Sequence, residues 1–336
     1  MAALNAYPVR APQWQLIYQG VNISADVSRS VIGITYVDRL SENSGEAEVT
    51  LEDHNKLWQG AWYPQQGDVV SLTIGYHNEA ALTCGDFQVD EIECEGPPDQ
   101  MTLRCIAAWI TPSMRSPRSV AYESVTLPQL AATIAGKYQL TVVGAPALLD
   151  VRFQRITQRH ETDLEFLRRV AWGHGYSFTV RGRQLVFYSI ASLEGAASTR
   201  TLKRADVLSF SFINKSHRTY KAAQVSYQAP ATKQLLTQGV SANPAPEVGD
   251  TLRVLARCES NEQALLKAES ALHTNNMLKV VARLEMPGTT DLLAGSIATI
   301  ADFGANDGTY LIEDARHRIG RDNGYTTNLA ARRIGD

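Results

Sequence analysis

His160-Glu161 opens like the zinc-protease motif HExxH, in which two histidines four apart share one helical face and hold a metal. Position 164 is leucine, so that chemistry fails. His174, between Gly173 and Gly175, reads as a solvent-exposed turn residue. Cys84, Cys94, Cys105 and Cys258 lie too far apart for the CxxC spacing of a zinc site. The first three fall in strand-like segments, where a small buried thiol packs as a hydrophobe. Acids that could pair for glycoside hydrolysis include Glu52, Asp53, Asp90, Glu91, Glu313 and Asp314, but a chain with 35 acids offers such pairs by chance. Neither GxGxxG, GxxxxGK[ST] nor GxSxG occurs. No catalytic, metal-ligating or cofactor-binding residue is expected, and no cofactor.

Two of those acidic pairs differ from the rest because they occupy matching places in a repeat. Gly85-Asp86-Phe87-Gln88-Val89-Asp90-Glu91 is echoed by Gly308-Thr309-Tyr310-Leu311-Ile312-Glu313-Asp314. The segment Gly67-Asp68-Val69-Val70 precedes the first copy and Gly295-Ser296-Ile297-Ala298 the second. Alternating strands stand further upstream, at 47–51 and 278–286. A duplicated β unit leaves this signature. Asp90, Glu91, Glu313 and Asp314 are therefore candidates for an interface or for the lining of a ring, with a solvated strand end as the plainer reading. Trp58, Trp62 and Tyr63 form an aromatic loop before Gly67. Amphipathic rings there suit an interface anchor or a sugar platform, and equally a loop that plugs one end of a barrel.

The elements that must position these residues are mostly strands. Trp14–Tyr18, Ile32–Tyr36, Ala47–Glu52, Val70–Tyr76, Phe87–Cys94 and Met101–Ala107 alternate apolar and polar residues, the mark of half-buried strands. At Asp90-Glu91 the alternation slips by one, which predicts a β-bulge. After Trp109, Pro112 and Pro117 mark a connector. A helix is expected from Thr126, with Pro128 in its first turn. Thr162-Asp163-Leu164-Glu165 is a capping box that opens another, and Arg181-Gly182-Arg183 joins two strands as a hairpin. Residues 229–249, with Pro230, Pro244 and Pro246, read as a long surface loop. Ser260-Asn261-Glu262-Gln263 caps a third helix. The fold class is mainly β with an α+β insertion: a first β-barrel domain over 1–115, an α+β domain over 116–202 and a second β-barrel domain over 203–336.

Composition bounds the function. Hydrophobic residues make 44% of the chain and charged residues 20%, the balance of a folded protein. The net charge of −3, from 32 basic and 35 acidic residues, comes with no basic cluster, so specific nucleic-acid binding is not expected. Residues 1–10 lack the basic and apolar regions of a signal peptide, and no apolar run reaches the length of a membrane span. Synthesis in a cytoplasm is the expectation.

Taken in order, Gly20-Val21-Asn22-Ile23-Ser24, Val49-Thr50-Leu51-Glu52-Asp53, Gly67-Asp68 and Gly85-Asp86-Phe87 resemble the late control protein D family of contractile phage tails. Thr162–Leu167, leading to Gly173-His174-Gly175-Tyr176-Ser177-Phe178 and then Leu185-Val186-Phe187-Tyr188, is similar to that family's most recognisable block. The resemblance implies a structural baseplate hub protein, not an enzyme, of a phage or phage-derived bacteriocin (tailocin), related to the hub portion of type VI secretion spikes. It further implies two tube-protein-like antiparallel barrels per chain, flanking the α+β domain. Three chains would form a homotrimer of pseudo-sixfold symmetry that adapts the sixfold tail tube to the threefold central spike. Implied partners are a separate spike protein, the tail tube or tube-initiator protein, the tape-measure protein and baseplate wedge proteins. The rival readings are a peptidoglycan-degrading tail enzyme and a carbohydrate- or receptor-binding tail module.

Overall fold

The computed structural model describes residues 10–40, 45–108, 112–144, 152–215, 219–228, 233–243, 249–256, 258, 260–277 and 279–335. The first β unit contains β1 (Pro12–Tyr18), β2 (Val21–Asn22), a one-turn helix α1 (Ser24–Val27), β3 (Val31–Arg39), β4 (Glu46–Glu52), β5 (Val69–Tyr76), β6 (Leu82–Glu95) and β7 (Gln100–Ala107). Alternation decides which face is inside: along β4, Ala47, Val49 and Leu51 are buried while Glu46, Glu48, Thr50 and Glu52 take the other face. The strand order is β2–β1–β5–β6–β7–β4–β3. The expected bulge is present, since Val89 pairs with Cys105 and Glu91 with Arg104, leaving Asp90 unpaired.

The α+β insertion comprises β8 (Arg118–Thr126), α2 (Leu127–Lys137), β9 (Thr141–Val143), β10 (Arg152–Glu161), α3 (Asp163–Trp172), β11 (Tyr176–Arg181), β12 (Gln184–Ser189) and α4 (Ile190–Glu194). Both helices begin at capping boxes. Thr126 and Gln129 exchange side-chain to backbone bonds at α2, as Thr162 and Glu165 do at α3. β11 and β12 form the expected hairpin, with Gly182 at φ +54° in its turn. The apolar faces of α2 and α3 meet this hairpin in one core, with Phe166, Leu167, Phe178 and Phe187 at its centre.

Beyond the insertion lie β13 (Arg200–Lys203), β14 (Ser209–Asn214), β15 (Tyr220–Gln228), β16 (Leu235–Ser241), β17 (Asp250–Leu255), α5 (Asn261–Asn276), β18 (Val280–Pro287), β19 (Ile297–Ala301), β20 (Gly308–Gly320) and β21 (Gly324–Ile334). Part of the expected loop 229–249 is strand: β16 and β17 flank β15 in a separate sheet, covered by α5. The apolar side of β16 consists of Leu236 and Val240, both only half-buried, so its pattern reads weakly in the sequence. Trp109, Pro230, Pro244, Pro246 and Leu278 lie outside the described residues. The remaining strands run in the order β13–β19–β20–β21–β18–β14, which repeats β1–β5–β6–β7–β4–β3 of the first unit place for place. One direction differs, β1 being antiparallel to β5 while β13 is parallel to β19.

The two units share one sheet. β20 pairs antiparallel with β3 from Asp314↔Arg39 to Gly320↔Gly33, so a single thirteen-stranded sheet runs through both. Each unit keeps its own apolar core on one side of that sheet.

Candidate functional site

The repeat is conserved down to single hydrogen bonds. Gly67 donates its N–H to the Val89 carbonyl at 2.8 Å, and Gly295 donates to Ile312 at 2.9 Å. Val89 and Ile312 donate back to Asp68 and Ser296, each at 2.9 Å. Asp68 accepts from the Gln65 N–H through its side chain, as Ser296 does from Leu293. Gly67 and Gly295 stand at φ +90° and +89°, a conformation that glycine adopts without strain. In cross-strand order, Tyr36–Ala47–Cys105–Val89 in the first unit corresponds to Phe212–Ala282–Ala331–Ile312 in the second. The core aromatics follow the same rule. Tyr36 meets Phe87 with ring centroids 6.0 Å apart, and Phe212 meets Tyr310 at 6.2 Å.

The four repeat acids sit at equivalent bulges but in unlike surroundings. In β20 the register shifts between Ile312 and Asp314, so Glu313 is the bulged residue that matches Asp90. Asp90 is exposed and accepts from Arg115 at 3.1 Å, while Glu91 meets Arg104 at 2.8 Å. Asp314 lies 3.8 Å from Arg39 across the β3–β20 joint. Glu313 is half-buried and accepts from Arg332 Nε at 3.0 Å. Burial pushes its carboxyl above the ordinary glutamate range, against the pull of the Arg332 guanidinium.

Arg332 is itself buried, and its Nη1 stands 2.6 Å from Glu194 at the end of α4. Glu194 also lies 2.9 Å from His273 Nε2 on α5. Burial raises the Glu194 carboxyl, but the His273 hydrogen bond and the Arg332 charge outweigh it and bring it below the usual range. This chain of contacts ties the insertion, α5 and the second β unit together. A second tie joins β3 to the insertion and to the segment before β19. Buried Asp38 accepts from Arg181 at 3.1 Å and from the Ala294 N–H at 3.1 Å. Burial raises its carboxyl, with Arg181 opposing. At the β3–β20 joint, His317 is fully buried, stacked 5.9 Å from Tyr36, and its Nδ1 lies 3.0 Å from the Tyr325 hydroxyl. Burial pulls its imidazole down to about 4. Arg332, Asp38 and His317 carry no mark in the sequence beyond their place in strands, because only the fold buries them.

The aromatic loop divides. Trp58 is buried in the first core, held where Asp53 accepts the N–H groups of Trp58 and Gln59 at 3.0 and 3.1 Å. Trp62 and Tyr63 are exposed, with Trp62 edge-on to Trp58 at 5.5 Å. His174 corrects the expectation of an exposed turn. It is buried, its ring edge-on to Phe153 at 5.5 Å and its Nδ1 2.7 Å from the Val170 carbonyl, because the chain leaving α3 folds back over β10. Among the cysteines, Cys105 is buried and Cys84 half-buried, but Cys94 is exposed. The reason is local: beyond the bulge, β6 has β7 on one side and no strand on the other among the described residues.

On the face of the sheet away from the cores, charge is segregated. The first unit presents Glu46, Glu48, Glu52, Glu91, Glu93 and Glu95 around Arg104, whose guanidinium touches three of them, with Arg39 beside Glu46 at the joint. The second presents Arg283, Arg316 and Arg318 with Glu285 and Asp314. These pairs are exposed, so each contributes little to stability. Among the described residues no cluster of His, Cys, Asp or Glu could hold a metal ion, and no helix is long and apolar enough to cross a membrane.

No family model matches the chain. A protein named "Probable baseplate hub protein" from Escherichia phage 186 is 30% identical over 182 residues, which are 54% of this chain and 46% of that protein. The chain thus spans about half the length of this curated relative. A solved tail protein from Neisseria meningitidis MC58 superimposes with a TM-score of 0.74, covering 97% of each chain at 11% identity. The E. coli c3393 protein, described as a component of the type VI secretion system, covers 91% of this chain and 74% of its own at a TM-score of 0.58 and 13% identity. At such identities the two structures speak for the fold alone. In sequence over about half its length the chain is similar to a phage baseplate hub protein, the resemblance its residue blocks carry, and over nearly all of its length it shares the fold of the Neisseria tail protein.

Proposed function

We propose that this chain is a structural hub protein of a contractile-tail baseplate, phage or bacteriocin, working as a trimer that joins a sixfold tube to a threefold spike. The observation that carries this reading is the matching strand order of two β units joined side by side in one sheet. Three chains then supply six similar units, a closed arrangement that lets a threefold particle offer sixfold surfaces. The similarity to a hub protein of phage 186 supports it. The domains are a first barrel over 1–115, the α+β unit over 116–202 and a second barrel over 203–336. Its partners are the central spike, the tail tube or its initiator, the tape-measure protein and the wedge proteins. The face bearing Glu91 and Asp314 lines the channel, where its segregated acids and arginines leave no continuous basic track to retain DNA.

The role is assembly and not catalysis. Asp90, Glu91, Glu313 and Asp314 are each engaged with an arginine, an arrangement that serves structure. One observation favours a second reading, a carbohydrate- or receptor-binding module: Trp62 and Tyr63 lie exposed side by side. A glycan array whose hits disappear in Trp62→Ala would support that module.

Sedimentation at several concentrations, alone and with the spike protein, tests the hub. A species of three times the chain's mass alone, or of that mass plus the bound spike in the mixed sample, is expected in at least one of the two. A strict monomer in both overturns it.

A further inference from the structure

The joint inside the chain is a template for a joint between chains. β20 and β6 are equivalent strands, yet past its bulge β20 is covered by β3 while β6 is bare among the described residues. β3 and β14 are equivalent too, and among the described residues β14 pairs with β18 on one side only. Its bare edge exposes Phe210 and Ile213, with Leu208 just before it. An uncovered apolar edge strand is an invitation to pairing.

We propose that the β6 edge, Glu91–Glu95, pairs antiparallel with Ser211–Lys215 of a second copy of this chain, and that repeating this contact closes the ring. Its stoichiometry rests on the hub reading above. The register follows from the internal joint. His317↔Tyr36 becomes Cys94↔Phe212, and Asp314↔Arg39 becomes Glu91↔Lys215. The translation preserves chemistry it was not built to preserve. The opposite charges of Asp314 and Arg39, 3.8 Å apart within the chain, reappear as Glu91 and Lys215. The buried face of His317 reappears as Cys94, whose exposure in the single chain is removed when Phe212 covers it. The pairing stops where Pro97 and Pro98, which lack N–H groups, follow the strand.

The native Cys94 makes the test direct. Directly opposed residues of an antiparallel pair have Cα atoms roughly 4.5–5.5 Å apart, within disulfide reach. Phe212→Cys in the full chain, under mild oxidation of a sample shown by sedimentation to be trimeric, should give disulfide-linked dimers and trimers on non-reducing gels. Ile213→Cys, pointing to the opposite face, should give about tenfold less. Equal linkage from both, or none in a trimeric sample, overturns the strand pairing and leaves the hub standing; a monomer with and without spike removes the hub itself. Should Phe212→Cys fail to fold, charge reversal takes its place. Lys215→Glu should weaken association about tenfold, and adding Glu91→Lys should restore it. Additive losses in the double variant overturn the register.

Discussion

At its bulge the first β unit holds Asp90 on the surface against Arg115, and the second holds Glu313 half-buried against Arg332. The position is the same, as the shared register shift shows. What differs is the neighbour. In the second unit Arg332 links Glu313 to Glu194 of α4, and through it to His273 of α5, and β3 covers β20, whereas β6 past its bulge is uncovered among the described residues. A duplicated unit thus keeps its backbone geometry while its side chains adapt to whatever lies alongside. At the site equivalent to Arg332 the first unit carries Ile106, which faces no carboxylate network. Burial of the acid and the presence of a buried arginine go together, since a half-buried carboxylate without a partner would be costly.

That contrast can be broken most strongly at the network itself. Arg332→Ala removes the guanidinium between Glu194 and Glu313, leaving His273 beside Glu194 alone, and should cost about 3–5 kcal/mol in denaturant unfolding. Ile106→Ala, at the matching place, should cost only about 1–2 kcal/mol, because the side chain is half-buried. Equal losses would mean that the two bulges are energetically alike.

The core aromatics sharpen the likeness instead. Phe87→Ala and Tyr310→Ala should each lose about 3–4 kcal/mol by the same unfolding measurement, since both rings are almost wholly buried. A difference of several kcal/mol between them would argue that one core is incidental.

Acid should separate the units next. His317, neutral in the folded chain, binds its proton only near pH 4, while the unfolded chain binds it near 6.5. The unfolded state therefore holds more protons in that window, and stability falls as pH drops from about 6.5 to 4, by about 3 kcal/mol in total. The first unit carries no histidine at the matching place, which is Cys94. His317→Gln should flatten the slope of unfolding free energy between those pH values; an unchanged slope would assign the effect elsewhere. The smallest effect is expected from Tyr310→Phe. It removes the hydroxyl bond to the Asn306 carbonyl at 2.8 Å and so makes the second unit's aromatic resemble Phe87, at a cost of about 1 kcal/mol in thermal unfolding.

Much of the fold is legible because its causes are local. Alternation places Ala47, Val49 and Leu51 on one face, and the boxes at Thr126 and Thr162 satisfy the N–H groups that start α2 and α3. The slip at Asp90 announces its own bulge. The β16–β15–β17 sheet is weakly marked in the sequence because β16 buries little on either side, and its partner β15 lies parallel to β17 across intervening chain. Cys94 was misread as core because period two tells which face a residue takes, not whether another strand covers that face.

By itself the sequence determined most of the strands of the two β units, the helix starts, the repeat and the likeness to a phage hub, all properties of residue order within short windows. Only the tertiary structure decided that β3 and β20, at opposite ends of the chain, would share a ladder, that Arg332 and His317 would be taken out of water, and that β6 past its bulge and β14 would each keep one edge uncovered among the described residues. Those outcomes depend on which surfaces meet across long separations, and burial, unlike periodicity, belongs to the pair of surfaces and not to either one alone.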